Sequence, residues 1–227
     1  MSGLPILRRT SHWEKYNEDG VAALSGGDYA RAEQEFRAAL IEAETVEVGD
    51  RLCLATSLHN LAGLYRAQNR FREAEPLLER SLAIKEQALG AEHLALTTSL
   101  NNLAGVYRAL GRYADAETAL LRALAILEKA LGKGHLEMVT SLRNLAAVYS
   151  SEGRYALAEP LSHRAREILE RTFGPDHPNV AASLKECALL LRQTNRVSEA
   201  EELEARAEAI RARGWPLTRN LKISGAG

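Results

Sequence analysis

The chain has 227 residues, 46 % hydrophobic and 26 % charged, with a formal net charge of −1. This balance excludes a fibrous or disordered chain, and near-neutrality gives no whole-molecule field for nucleic acid or an anionic membrane. No apolar run approaches roughly 18 residues, so a transmembrane helix is not expected.

The opening MSGLPILRRTSHWEKYNEDG lacks the charged-then-apolar order of a secretion signal. Residues 1–11 show no periodicity and read as a lead-in. Helical periodicity then starts, and ten segments follow in pairs. Their predicted ranges are His12 to Ser25, Asp28 to Val48, Arg51 to Gln68, Phe71 to Leu89 and His93 to Leu110. The remainder are Tyr113 to Leu131, Leu136 to Glu152, Tyr155 to Phe173, Pro178 to Thr194 and Val197 to Arg213. In the fifth, Leu96, Leu100, Leu103, Ala104 and Tyr107 keep the 3- and 4-residue spacing of an amphipathic helix. Gly111-Arg112 is the turn after it, with glycine available for a left-handed helix end. Residues 214–227 form a tail, in which Trp215-Pro216-Leu217 is expected to flap over the last helix pair.

The pairs are copies of one unit. SLHNLAGLYRAQNRF at Ser57 recurs as SLNNLAGVYRALGRY at Ser99, SLRNLAAVYSSEGRY at Ser141 and SLKECALLLRQTNRV at Ser183, each 42 residues on. Such a period means stacked helix-turn-helix repeats that cannot bury their apolar faces singly. The expected fold is all-α: a right-handed α-solenoid of five 42-residue repeats in one domain, residues 12–213. Small residues mark the crossings, Ala32, Ala74, Ala116, Ala158 and Ala200 in the second helix, and Ala62, Ala104, Ala146 and Ala188 in the first. The end repeats are polar, as solvated caps should be: Asp19 stands for Leu61, and Glu204 for Leu78.

The pattern of Leu100, Leu103-Ala104, Tyr107, Ala116, Leu120 and Ala123 resembles the tetratricopeptide repeat. That unit is usually about 34 residues long. The longer unit here, LNNLA…Y…GRY…AE, is similar to the kinesin light chain subfamily from Arg51 to about Arg192. Bacterial chains of that subfamily include partners of tubulin-like filaments, so the resemblance implies filament docking as an alternative role. The heptad coiled coil of a motor-bound light chain is missing, which argues against motor attachment. The carboxylate clamp of chaperone-tail-binding relatives is not reproduced, since His59, Gly63 and Thr140 stand where it needs Lys, Asn and a basic residue.

The first helix of each repeat is expected to face a concave groove. One column there is Asn60, Asn102 and Asn144. The preceding column is His59, Asn101, Arg143 and Lys185, and seven residues on come Arg66, Arg108, Ser150 and Arg192. An amide both donates and accepts, so an asparagine ladder can hold the backbone of an extended peptide. The competing reading is that these amides bond neighbouring helices. Arg66 and Arg108 make the groove basic, and arginine suits carboxylates. The candidate peptide-binding residues are therefore His59, Asn60, Arg66, Asn101, Asn102, Arg108, Arg143 and Asn144, in a groove expected to close before the fifth repeat.

The expected partner is a protein, either an acidic extended segment in the groove or a tubulin-like filament on the outer faces. No nucleic acid, membrane or cofactor is implied, and a cytoplasmic monomer is expected. No phosphate loop, CxxC, HExxH or serine elbow is present, so no catalytic residue is assigned and an enzyme is disfavoured. Tyr65, Tyr107 and Tyr149 read as core. Cys53 and Cys187 read as small buried thiols. His93, His135 and His177 read as helix-start residues rather than zinc ligands, because stacked helices hold them too far apart for one ion. Pro76 and Pro160 fall inside predicted helices, where a kink is expected. Trp13 is expected to have a structural role.

Overall fold

The computed structural model describes residues 10–45 and 51–213, and these contain ten helices and no strand. They fall into two compact units that meet in sequence at Lys133 and Gly134. The first unit contains α1 (Thr10–Ser25), α2 (Tyr29–Thr45), α3 (Arg51–Ala67), α4 (Phe71–Leu89), α5 (Leu96–Ala109) and α6 (Tyr113–Leu131). Each odd helix packs on the even helix after it, and α2 on α3 and α4 on α5 continue the stack. α1 also touches α3. The lead-in and the tail lie outside the described residues apart from the start of α1, which begins at Thr10 rather than His12.

The small-residue columns make these crossings possible. Ala32, Ala74, Ala116, Ala62 and Ala104 are all buried. At the head of the second column stands Gly20, and a Cβ there would lie 2.6 Å from two ring carbons of buried Phe36. The turn between α5 and α6 uses Gly111 at φ 76, and the matching turn after α3 uses Asn69 at φ 59. Asparagine is among the few side chains that tolerate that region.

The second unit contains α7 (Met138–Ser151), α8 (Tyr155–Phe173), α9 (Pro178–Gln193) and α10 (Val197–Ala212), packed in succession. Its core holds Met138, Leu142, Leu145, Ile168 and Leu184. α10 buries only Ala200, Ala207 and Ile210, so its outer face is polar, as expected of a terminal repeat.

α5 and α7 start later than the periodicity suggests, at Leu96 and Met138 rather than His93 and Leu136. The histidines explain this. His93 Nδ1 accepts from Ala95 N–H at 3.1 Å and His135 Nδ1 from Glu137 N–H at 3.4 Å, so the intervening residues form a turn. His177 Nδ1 accepts from Asn179 N–H at 3.1 Å and caps α9 ahead of Pro178. His177 is thus at a helix start as expected, whereas His93 and His135 lie in the turns that precede α5 and α7. α4 and α8 run unbroken through Pro76 and Pro160, where a kink was expected.

The tyrosines are core, with Tyr65, Tyr107 and Tyr149 at 4, 9 and 8 % exposure. Their hydroxyls reach acids of the preceding repeat: Tyr65 donates to Glu33 at 3.0 Å and Tyr107 to Glu79 at 2.8 Å. Burial first, then these carboxylates, push both phenols above their ordinary pKa. An arginine lies over each ring, Arg70, Arg112 and Arg154 at 4.0, 4.4 and 4.5 Å from the centroids. Arg70 also binds Glu33 at 2.9 Å and Glu73 at 2.6 Å, and Arg196 binds Glu159 at 2.7 Å. The acids of the even helices are therefore bracing groups between successive repeats. Trp13 has the expected structural role, donating from Nε1 to buried Ser57 Oγ at 2.7 Å.

Candidate protein-binding surface

In the first unit α3 and α5 carry the predicted residues, and α1 places Asn17 beside them. Asn60 Nδ2 donates to Asn17 Oδ1 at 2.8 Å. Asn102 Nδ2 lies 3.1 Å from His59 Nε2. Both contacts join residues 43 apart, one from each of two adjacent columns. In the second unit Arg143 and Glu186, again 43 apart, form the equivalent rung, with Arg143 Nε at 2.7 Å from Glu186 Oε2. The columns therefore face each other across neighbouring odd helices, with chemistry running from amide pair to imidazole–amide to ion pair.

This arrangement gives the amides a bracing role, the competing sequence reading, but does not exhaust them. Asn102 Oδ1 accepts from Arg66 Nη1 at 2.6 Å and Nδ2 faces His59, leaving one acceptor and one donor site. Asn101 Nδ2 donates to Thr97 O at 2.8 Å, a contact within its own helix. Asn144 lines a cleft in the second unit.

The cations divide more sharply. Arg66 is half-buried and among the described residues its one hydrogen bond is to Asn102, and burial holds its pKa below the ordinary value. Arg108 is exposed. Neither has a carboxylate partner among the described residues. In the second unit the corresponding charges are balanced. Arg143 is held by Glu186, and Arg192 by Glu204 at 2.7 and 2.9 Å. Lys85 of α4 adds a further half-buried cation to the first unit, donating to Ser99 Oγ at 3.0 Å. His59 sits among these groups, and burial, then Lys85 and Arg66, pull its pKa down to about 4.

The second unit has its own opening. A cleft of about 740 Å³ lies between α7 and α9, lined by Ala147 and Leu189 and by the polar Arg143, Ser150, Glu186 and Gln193. Leu189 is 60 % exposed. This cleft reaches α9 of the fifth repeat, beyond the point where the groove was expected to close. Glu186, which replaces the ladder asparagine, pairs with Arg143 instead of filling the space. Sequence columns spaced by 42 concealed this, because the partners are spaced by 43.

Cys187 is buried and its thiol is pushed up to about 11 by burial, whereas Cys53 is only half-buried. Among the described residues no group of three or more His, Cys, Asp or Glu could hold a metal ion. No helix there is long and apolar enough to cross a membrane.

The tetratricopeptide repeat profile matches residues 20–87, 74–129, 95–160 and 137–213. The chain belongs to the tetratricopeptide repeat family. A search of curated protein sequences gives no match. Among solved structures it is similar to a Podosopora anserina chain assigned to the kinesin light chains, with nearly identical TPR-like repeats. That likeness has 28 % identity and a TM-score of 0.80, over 91 % of this chain and 98 % of that one. BtubC (BKLC) from P. vanneervenii matches at 24 % identity and a TM-score of 0.81, over 97 % and 88 %, a likeness of fold. MamA gives 15 % identity and a TM-score of 0.59. The tetratricopeptide fold is that of a protein–protein interaction scaffold, and the solved structures similar to it include kinesin light chain-like repeats.

Proposed function

We propose that the odd-helix face of the first unit binds an extended, acidic protein segment. The observation that carries this reading is that Arg66 and Arg108 have no carboxylate partner among the described residues, against the paired Arg143 and Arg192 of the second unit. Arg108 supplies an exposed guanidinium that can take a carboxylate bidentately. Asn60 and Asn102 supply the amide sites left over from bracing, and Asn101 and His59 line the same face. Arg143 and Asn144 are candidate contacts within the second unit by themselves, where taking a ligand would require opening the Arg143–Glu186 pair. Ordering a flexible ligand holds the affinity near about micromolar.

The test is fluorescence polarisation with a labelled Glu/Ser peptide and its Gln/Ser counterpart. The Gln/Ser peptide should bind weakly or not at all. Arg108→Ala should weaken the acidic peptide about tenfold, the worth of one charge-assisted contact, with helical circular dichroism unchanged. Equal affinity for the two peptides would sink the reading. Co-sedimentation with a tubulin-like polymer that survives Arg108→Ala but not changes on the even helices would favour filament docking by the outer faces.

A further inference from the structure

Lys85 occupies a position that the repeat assigns to the core. Forty-two residues away in either direction, and again beyond, stand Ala43, Leu127 and Leu169, which are 4, 1 and 5 % exposed. A lysine among such residues needs a reason, because a charge leaving water is costly unless it is paired. Among the described residues its ammonium meets only a neutral hydroxyl, Ser99 Oγ at 3.0 Å. One helical turn along α5 from Ser99 is Asn102, where the half-buried Arg66 ends at 2.6 Å. The two cations therefore bracket a single turn of α5, since residues three apart share a face.

His59 completes the cluster. Arg66 donates to Asn102 Oδ1, so the amide nitrogen is the atom facing His59 Nε2 at 3.1 Å. Nε2 must then accept, and the ring proton sits on Nδ1. That Nδ1 is buried and has no partner. The cluster thus has an excess of donors: two from the lysine, four from the guanidinium and one from the imidazole remain uncommitted. No carboxylate accompanies them among the described residues. Elsewhere in the first unit the cations that touch buried structure are paired, as Arg70 is to Glu33 and Arg122 to Glu86.

We propose that His59, Arg66, Lys85 and Asn102 form an anchoring site for one carboxylate. The ligand must accept without donating, which a carboxylate does at two oxygens. It would take hydrogen bonds from Arg66 and Lys85 and lie near His59. This deepens the groove reading and rests on it for the source of the carboxylate, an acidic side chain or a chain terminus of the bound segment. Lys85 is then the residue that sets specificity, because the first, third and fourth repeats carry an apolar residue there and the terminal repeat carries the exposed Arg211.

The first experiment needs no partner protein. Acetate is titrated into the full chain while the His59 ring proton is followed by nuclear magnetic resonance, with chloride at equal ionic strength as control. A bound anion favours protonated imidazole, so the midpoint of His59 should rise from about 4 by a pH unit or more in acetate and not in chloride. Lys85→Leu should abolish the acetate effect and, by restoring the residue type of α6 and α8, should raise the melting temperature. Lys85→Gln keeps the polar reach and serves if the leucine variant misfolds. An equal response to acetate and chloride, or an undiminished acetate effect in K85L and K85Q, overturns the site.

The second experiment separates this site from the groove. The Glu/Ser peptide should bind K85L about tenfold more weakly than wild type, the loss of one charge-assisted contact. Free and amidated C-termini tell which carboxylate enters. If Arg108→Ala weakens the peptide and K85L does not, the groove stands and the anchor falls. If acetate moves His59 but no peptide binds, the anchor stands and the peptide reading falls.

Discussion

The odd helices of the two units derive from the same repeat, yet their charges are arranged oppositely. In the first unit Arg66, Arg108 and Lys85 have no carboxylate partner among the described residues, and His59 is held neutral among them. In the second unit Glu186 and Glu204 take up Arg143 and Arg192. The scaffold is common, since the alanine columns and leucine core are alike in both. Two acidic substitutions on the shared frame convert an open basic face into a self-neutralised one. A repeat family can thus vary its ligand chemistry without altering its packing.

The largest effect should come from forcing the first unit's anomaly on the second. Leu169 is the counterpart of Lys85 and is 5 % exposed. Leu169→Lys should cost about 3–5 kcal/mol, from the lost burial and an unpaired charge. Thermal unfolding by circular dichroism should show a drop of about 10 °C or more. The reverse change, Lys85→Leu, should be neutral or stabilising. If Leu169→Lys were tolerated as readily as Lys85 is, the column would not be core and the contrast between the units would lose its basis.

A smaller effect should follow from pH. His59 has a folded pKa near 4, below its ordinary value of 6.5, so the unfolded chain takes up the proton first as pH falls. Its contribution is complete above pH 6.5 and is lost progressively toward pH 4. The groups facing it are Arg66 on its own helix, Lys85 on α4 and Asn102 on α5, so among the described residues no nearby carboxylate opposes this trend. The loss should be on the order of 1–2 kcal/mol, allowing for partial solvent access. His59→Asn, the residue type of Asn101, should flatten the stability curve in this window. An unchanged slope in that variant would show that His59 is not the titrating group.

The sequence and the structure differ where periodicity alone cannot see. Helix positions were legible because burial repeats every 42 residues, and nine of ten predicted segments begin within two residues of the observed helices; α5 begins three later. The His93 and His135 turns were missed in extent because a ring nitrogen accepting a backbone N–H competes with the first helical turn. The candidate columns were also legible as columns. Their mutual contacts were not, because Asn17 meets Asn60 and Arg143 meets Glu186 at a spacing of 43, set by how adjacent helices rotate against each other. Lys85 was readable in principle as a lysine in a column that is Ala or Leu in every other repeat but the last, where Arg211 stands. What exposed its meaning was the partner it reaches, Ser99, which only packing of α4 on α5 brings near.

The smallest effect on stability is also the most direct test of how the units differ. Arg143 and Glu186 are 44 and 39 % exposed, so their ion pair should add well under about 1 kcal/mol to folding. Glu186→Asn restores the ladder residue found at Asn60, Asn102 and Asn144 and releases Arg143. The melting temperature should hardly move. The cleft between α7 and α9 should then carry an unpaired guanidinium, like the face of the first unit. The Glu/Ser peptide should gain roughly tenfold in affinity for a fragment-independent reason, the extra charge-assisted contact. Arg143→Ala on the Glu186→Asn background should remove that gain, whereas Arg143→Ala alone should change little, because its guanidinium is already engaged. A gain that survives Arg143→Ala would place the added contact elsewhere and would mean that charge pairing is not what separates the two faces.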